Sequence, residues 1–348
     1  MSLGEKAAQF FAPAVLVGLV ALLGSFSSST NEVYFETALV DVAIVVGLYV
    51  FIGNSGVLSF GHISFVAVGA WTAGILTVPA EVKPTALPGM FSLLADHSVG
   101  NVPSLLLAAG VGGTFAFLVG LPLMRLSGLA AGIATFAVLG ITYNVLLNWT
   151  KIGPGPGPIT SVPQTTGLVQ ALVGSLIVIA IAWVYQLSRL GRLLRASRED
   201  PAAAQAVGVR IHVERLAAFT ISGALCGFAG GLLVHQLGTV YASQLYLNLT
   251  FITLAMLVVG GIGSLLGAVL GAVLISGLNS FLLAAEGGVH VLGYKIDVRS
   301  GMNLVVLGAV MAIVLVLRPS GITGGRELPV PRLRGSPPEE APATGGSS

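Results

Sequence analysis

Residues 53–74 read GNSGVLSFGHISFVAVGAWTAG and lie across the join of two apolar stretches, 37–53 and 60–78. Five glycines, three serines, an asparagine and a histidine are thereby placed where a membrane-crossing pattern is otherwise continuous. Glycine weakens helices and permits backbone angles that other residues avoid. Irregular backbone survives at membrane depth only when it is buried in protein or lines a cavity. The segment therefore reads as a broken helix beside a solute path, with Asn54, Ser55, Gly56, Ser59, Gly61 and His62 as candidate path residues. Gly69, Ala70 and Gly74 read instead as small residues that let helices approach closely. A lone histidine such as His62 most simply bonds a polar neighbour; with no second ligand nearby, it predicts no metal site.

Composition supports a membrane setting. Hydrophobic residues make up 55% of the 348, charged ones only 9%, and mean hydropathy is +0.93. Soluble domains carry about a quarter charged residues, so this chain has too few to cover a surface facing water. A net charge of +2, spread along the sequence, gives no footprint for nucleic acid. The single cysteine, Cys226, excludes an intrachain disulfide and reads as a small packing residue.

A helix needs about 20 apolar residues to cross the hydrocarbon core. Ten candidates emerge: Ala7–Phe26, Thr37–Gly53, Phe60–Val78, Ser104–Met124, Leu129–Asn148, Gly167–Gln186, Leu216–Leu237, Thr250–Gly260, Leu265–Ala285 and Met302–Leu317. The first reads as a retained helix rather than a signal peptide, because its apolar run is long. The eighth is too short to cross alone. Read as a half-helix continued through Gly261–Leu265, it brings the count to nine; counted by itself, it leaves ten. The expectation is an all-α polytopic bundle over residues 1–325, with broken helices and two loosely related halves. The Pro-, Gly- and Ser-rich tail 326–348 is expected to be disordered and cytoplasmic.

Cytoplasmic loops collect Lys and Arg. With both termini inside, the inner loops hold twelve basic residues and the outer loops four: Lys83, Lys151, Lys295 and Arg299. The bias predicts an N-in, C-in arrangement.

Two further stretches carry information. Val258–Ile275, VVGGIGSLLGAVLGAVLI, is a second glycine-dense interruption, and paired interruptions point to a binding site between halves. Gly260, Gly261 and Gly263 join the candidate path on that basis. The inner segment 189–215 holds six arginines around a short alanine-rich rod. Asp200 suits its N-cap, Pro201 its first turn and Gly208 its stop. Small side chains suit a rod pressed into a groove on another protein. The candidate coupling residues are Arg198, Glu199, Asp200, Ala203, Ala204 and Gly208, within a loop spanning 188–215.

Other chemistries lack their residues. The run Gly153–Pro158, GPGPGP, loses to proline the amides that a phosphate cradle needs, and no P-loop motif occurs. Asp41 is the only acid inside a candidate span, whereas proton-coupled carriers show a richer buried set. The energy source is therefore expected on another chain. An enzyme would need a nucleophile–base pair or metal cluster, and the sequence offers neither.

At these same positions the chain resembles the branched-chain amino acid ABC transporter permease family. The resemblance rests on Gly53-x-x-Gly56-x-Leu58-Ser59-x-Gly61-His62-x-x-Phe65 and Gly69-Ala70-x-Thr72, then on LLNWTKIGPGPGP at 146–158. It continues through Arg198-x-Asp200-x-x-Ala203-Ala204-x-Ala206-x-Gly208-Val209 and Leu216-Ala217-Ala218-Phe219. Ala224-x-x-Gly227-x-Ala229-Gly230, Gly260-Gly261-x-Gly263-Ser264-Leu265-x-Gly267 and Arg318-Pro319-x-Gly321 follow in order. Related sugar permeases carry an aspartate near the first break; 54–59 has none, which favours the amino-acid branch. Tyr49 departs from the family's usual Asn, and Arg125-Leu126-Ser127-Gly128 from a more basic turn.

The resemblance implies one subunit of a bacterial inner-membrane importer. Its partners would be a second permease chain, two cytoplasmic ATPases that use ATP, and an extracytoplasmic solute-binding protein. Surrounding lipid completes the setting, and this chain itself would bind no cofactor. Leu, Ile and Val are the default solutes. The rival reading is a stand-alone channel or secondary carrier for a small polar solute such as urea or an amide, which needs no docking rod.

Overall fold

The computed structural model describes residues 3–87, 89–91, 97–286, 289–291, 294–296, 301–318 and 320–324. The tail 326–348 lies outside the described residues. The elements are α1 (Leu3–Ser25), α2 (Ser29–Ser55), α3 (His62–Thr77), α4 (Lys83–Ala86), α5 (Asn101–Leu123), α6 (Gly128–Asn148) and α7 (Leu168–Leu187). Then come α8 (Arg189–Glu199), α9 (Pro201–Ala206), α10 (Ile211–Leu237), α11 (Leu247–Gly260), α12 (Leu265–Glu286), β1 (Val289–Val291), β2 (Tyr294–Ile296) and α13 (Met302–Leu317).

Among the described residues, seven helices are long and apolar enough to cross a membrane: α1, α2, α5, α6, α7, α10 and α12. Three shorter apolar helices, α3, α11 and α13, occupy the remaining expected positions. The polytopic helical bundle is as expected. A small antiparallel pair is added to it, with β1 and β2 in register from Val289–Ile296 to Val291–Tyr294.

Helix α10 sits at the centre, packed against α5, α3 and α2. Small residues explain why. A methyl added to Gly227 would stand 2.4 Å from the Ala108 carbonyl oxygen, and one on Gly69 would stand 2.1 Å from that of Gly227. Backbones touch, so close dispersion contacts and the entropy of released lipid hold the bundle without help from a solvent-driven hydrophobic effect.

The contacts also give directions. Gly227 meets Ala108 and Gly112 while Gly223 meets Ala116, so α5 and α10 are antiparallel. Gly69 meets Gly227 and Gly74 meets Val234, so α3 and α10 run together. Thr37 accepts from Gln236 and the Gly47 carbonyl from Ser222, so α2 opposes α10.

The bundle consequently has two polar ends. At one, the Leu126 carbonyl accepts from Arg215, and α8 with its arginines lies against α2 and α7. At the other, Lys83 donates to the His97 carbonyl, Lys151 lies over Phe91, and Ile159 bridges Val240. Between them, outward faces such as Val15 and Leu19 of α1 or Val169 and Val173 of α7 are exposed and apolar, as lipid requires.

Candidate functional site

Helix α2 ends in a left-handed Gly56, φ 70°, whose amide bonds the Ile52 carbonyl at the basic end of the bundle. A side chain there would need a conformation that costs L-residues about 1–2 kcal/mol. From Gly56 the chain runs non-helically until α3 starts at His62, as the glycine content led one to expect. Its backbone is re-satisfied by protein: the Phe60 amide donates to Thr135 Oγ1 of α6, 3.2 Å away. Gly61 presses against the Thr135 carbonyl, leaving no room for a methyl.

The polar residues of this break, Asn54, Ser55, Ser59 and His62, are buried, and each has at least one hydrogen-bond partner. Ser55 Oγ accepts from the Val57 amide at 3.2 Å. Ser59 Oγ and His62 Nδ1 lie 2.7 Å apart. The imidazole packs among Phe51, Phe65 and Phe219, with ring centroids 5.1–5.6 Å away. Its Nε2 has no partner among the described residues. Asn54 is fully buried; its Nδ2 donates to the Val50 carbonyl at 2.9 Å and its Oδ1 accepts from Arg195 Nε at 2.6 Å.

That last bond joins two stretches that the sequence presented separately. Arg195 also donates to Gln186 Oε1 of α7 at 3.0 Å, and the same oxygen accepts from Tyr49 Oη of α2. Gln186 Nε2 in turn reaches Gln9 Oε1 of α1. Arg198 adds a bond to the Gly53 carbonyl at 2.8 Å. Helix α8 is therefore clamped to the foot of the break by two guanidinium groups, through charge-assisted bonds of the stronger kind. Sequence reading missed Arg195, Gln186, Tyr49 and Gln9 as a set. The departure at Tyr49 was the available signal, since a tyrosine hydroxyl buried at a helix end needs a partner.

Beyond α8, Asp200 Oδ1 accepts the Ala203 amide at 3.0 Å and caps α9, with Pro201 in its first turn. Gly208, φ 87°, closes the rod as expected. Glu199 is exposed at the end of α8. Within α9, Ala204 turns inward and is buried, because the short helix lies on α8. The face it leaves open is carried by Ala202, Ala203, Ala206 and Val207, the last 81% exposed. Beside it opens a basic groove of about 730 Å³ lined by Arg125, Pro201, Gln205, Arg210, His212 and Arg215.

The second glycine-dense stretch meets the first. Helix α11 ends at Gly260, and Gly261, φ 119°, reverses the chain through Ile262 and Gly263. The chain does not continue as a helix through 261–264; it turns back, and Ser264 Oγ caps α12 by accepting the Gly267 amide. The two helices pack so closely that a methyl on Gly260 or Gly271 would lie 1.9 Å from a facing carbonyl oxygen. The Ile262 carbonyl oxygen abuts Gly53, so the two interruptions adjoin at the basic end. The last described residues brace this turn: Ile322 donates to the Val259 carbonyl, and Thr323 donates to that of Gly260 through both amide and hydroxyl.

Two interruptions, meeting beside the arginine-bearing helix on which the capped alanine rod packs, form a single constellation. Residues 32–315 match the family described as branched-chain amino acid transport system / permease component. The chain belongs to that family. The permease is 28% identical over 350 residues to the high-affinity branched-chain amino acid transport system permease protein LivM of Salmonella typhimurium, covering 90% of this chain and 74% of that one. It is 32% identical over 162 residues to the probable branched-chain amino acid transport permease protein LivH of Methanocaldococcus jannaschii, covering 45% and 47%. It is 30% identical over 225 residues to the autoinducer 2 import system permease protein LsrC of Enterobacter sp., covering 60% and 65%. No solved structure matches the permease. Among the described residues no group of His, Cys, Asp and Glu is placed to hold a metal ion.

Proposed function

We propose that this permease is the membrane subunit of an ATP-driven importer for branched-chain or related amino acids. It would work beside a second permease chain, two cytoplasmic ATPases and an extracytoplasmic binding protein in a bacterial inner membrane. The twelve-to-four distribution of basic residues supports N-in, C-in. The arginine-rich end of the bundle is then cytoplasmic, and α9 faces the ATPases.

The observation that carries this reading is the clamp. The helix that presents the exposed alanine face, α9, packs on α8 across the extended Asp200, and α8 is fastened by Arg195 and Arg198 to Asn54 and Gly53 at the foot of the break. A push on α9 thereby reaches Gly56–Gly61, where few backbone bonds resist bending. Nucleotide binding and hydrolysis in the partners would favour alternate settings of this hinge, opening the path to one side and then the other. Asn54, Ser55, Ser59 and His62, with Gly260, Gly261 and Gly263, form the inner gate in this scheme.

The test is Ala203→Glu on the open face of α9, in the permease co-expressed with its ATPases. A carboxylate there keeps helix propensity but must be desolvated on docking. The expected result is normal membrane insertion, poor co-purification with the ATPases and loss of solute-stimulated ATP hydrolysis. Wild-type uptake with no ATPase bound would instead identify a stand-alone carrier.

A further inference from the structure

Helix α6 is the odd one among the outward helices. Its inner face packs through Ala131, Thr135, Leu139, Thr142 and Leu146, all buried. Its outer face is open, and there two carboxamides interrupt an apolar surface. Gly140, Asn144 and Asn148 follow one another at four-residue spacing and form one stripe. Asn144 donates Nδ2 to the Gly140 carbonyl and Asn148 donates Nδ2 to that of Asn144, both at 2.8 Å. Both residues are exposed, and among the described residues neither carboxamide oxygen has a partner. Nothing lies within 4 Å of a methyl placed on Gly140. A shallow, open hollow of about 670 Å³ lies over the stripe, lined by α6 itself and Trp149.

Hydrocarbon does not tolerate such a stripe, because an acceptor with no donor loses its water without compensation. The comparable faces of α1 and α7 are apolar. The opposite end of α6 touches the break: Gly132 lies beside the Leu58 carbonyl oxygen and Thr135 holds the Phe60 amide. At its far end, Tyr143 stacks on Tyr246 with centroids 4.2 Å apart, tying α6 to the start of α11. One helix thus connects the break, the stripe and the second interrupted segment.

We propose that the Gly140–Asn144–Asn148 stripe is a wall of the aqueous solute path, where the carboxamide oxygens of Asn144 and Asn148 accept hydrogen bonds from the ammonium of an amino acid. This rests on the importer reading and deepens it. The main chain of α6 uses the amide nitrogens, which orients each side chain and leaves the oxygens for the solute. Gly140 leaves space beside them for the solute's body.

The experiment uses the permease co-expressed with its importer partners, in sealed right-side-out vesicles. Asn144→Cys and Asn148→Cys are treated from outside with a charged, membrane-impermeant thiol reagent, or with a lipid-soluble maleimide. Val173→Cys on α7 serves as the lipid-facing comparison, and the parent, with only buried Cys226, as background. Both asparagine positions are expected to react with the charged reagent, and Val173→Cys only with the maleimide. In uptake assays with leucine, isoleucine and valine, Asn144→Leu is expected to lower transport at least tenfold at equal membrane abundance and ATPase binding. Asn144→Gln, which keeps the acceptor, is expected to restore part of it. Asn144→Cys that resists the charged reagent yet takes the maleimide would place the stripe against lipid and overturn the proposal, as would wild-type uptake by Asn144→Leu. Labelling reads water access even if the parent imports no amino acid, so failure of the importer reading shows separately.

Discussion

Arg195 of α8 donates through Nε to Oδ1 of the buried Asn54 at 2.6 Å, on the residue next to the carbonyl that Arg198 holds. A charged group outside the bundle is thereby the hydrogen-bond partner of an amide inside it. Neither residue is satisfied alone: removing Arg195 strands Asn54 Oδ1, and removing Asn54 leaves the guanidinium with Gln186 only.

Replacement of Arg195 by alanine is expected to cost about 1.5–3 kcal/mol, the range for hydrogen bonds to charged groups. Asn54→Ala is expected to cost less, and the double variant less than the sum, with a coupling of at least about 1 kcal/mol. Thermal unfolding of the four proteins in detergent measures it. Arg195→Lys is not expected to rescue, since an ammonium cannot fork between Asn54 and Gln186. Additive losses would mean that the two residues act independently.

Gly56→Ala and Gly128→Ala form a matched pair. Both glycines have positive φ, 70° and 58°, but only Gly56 has a neighbour, the Arg198 side chain, 2.9 Å from an added methyl. Each substitution is expected to lose about 1–2 kcal/mol from backbone strain. Gly56→Ala is expected to lose more and, on the proposed importer reading, to lower solute-stimulated ATP hydrolysis in the complex with the ATPases. Equal losses in stability, with hydrolysis intact, would mean that Arg198 yields freely.

Gly69→Ala places a methyl 2.1 Å from the Gly227 carbonyl oxygen, whereas Gly110→Ala meets nothing within 4 Å. The first is expected to cost about 3 kcal/mol, at the upper end for overpacking, and to reduce monodisperse yield on size exclusion. The second is expected to be neutral or slightly stabilising, as alanine favours the helix by up to about 1 kcal/mol. Normal yield of Gly69→Ala would show that α3 slides easily on α10.

Sidedness is open to direct test. Cysteines introduced at Ala202 and Pro156 lie at opposite ends of the bundle, and the native Cys226 is buried and silent. The Ala202→Cys variant is expected to react with an impermeant reagent only from the cytoplasm, and Pro156→Cys only from outside. Reaction of both from one side would remove the N-in, C-in arrangement.

Hydropathy made the helices legible because lipid imposes a length on every crossing and charge on none. The stop at Gly56 and the cap at Asp200 were legible too, since both depend on neighbours a few residues away. What stayed hidden is long-range. Arg195 is one of six arginines in its loop, and nothing local marks it as the one that reaches Asn54, 141 positions earlier. Ala204 and Ala203 are chemically identical, and only the packing of α9 on α8 turns one in and the other out. The eighth span was ambiguous because glycine both breaks helices and lets them touch. At Gly260 and Gly261 it does both, and the backbone angle that decides the matter is a tertiary outcome.

The brace on α11 sets an order of events during synthesis. The carbonyls of Val259 and Gly260 take their donors from Ile322 and Thr323, the Gly260–Thr323 bond spanning 63 positions. While the ribosome is still making α12 and α13, that helix end, at the basic end of the bundle, lacks these donors. Water or the insertion machinery must serve it until the final turn emerges. A chain cut short before residue 322 would therefore keep every apolar helix and still leave an unsealed seam beside Gly53 for quality-control proteases to find.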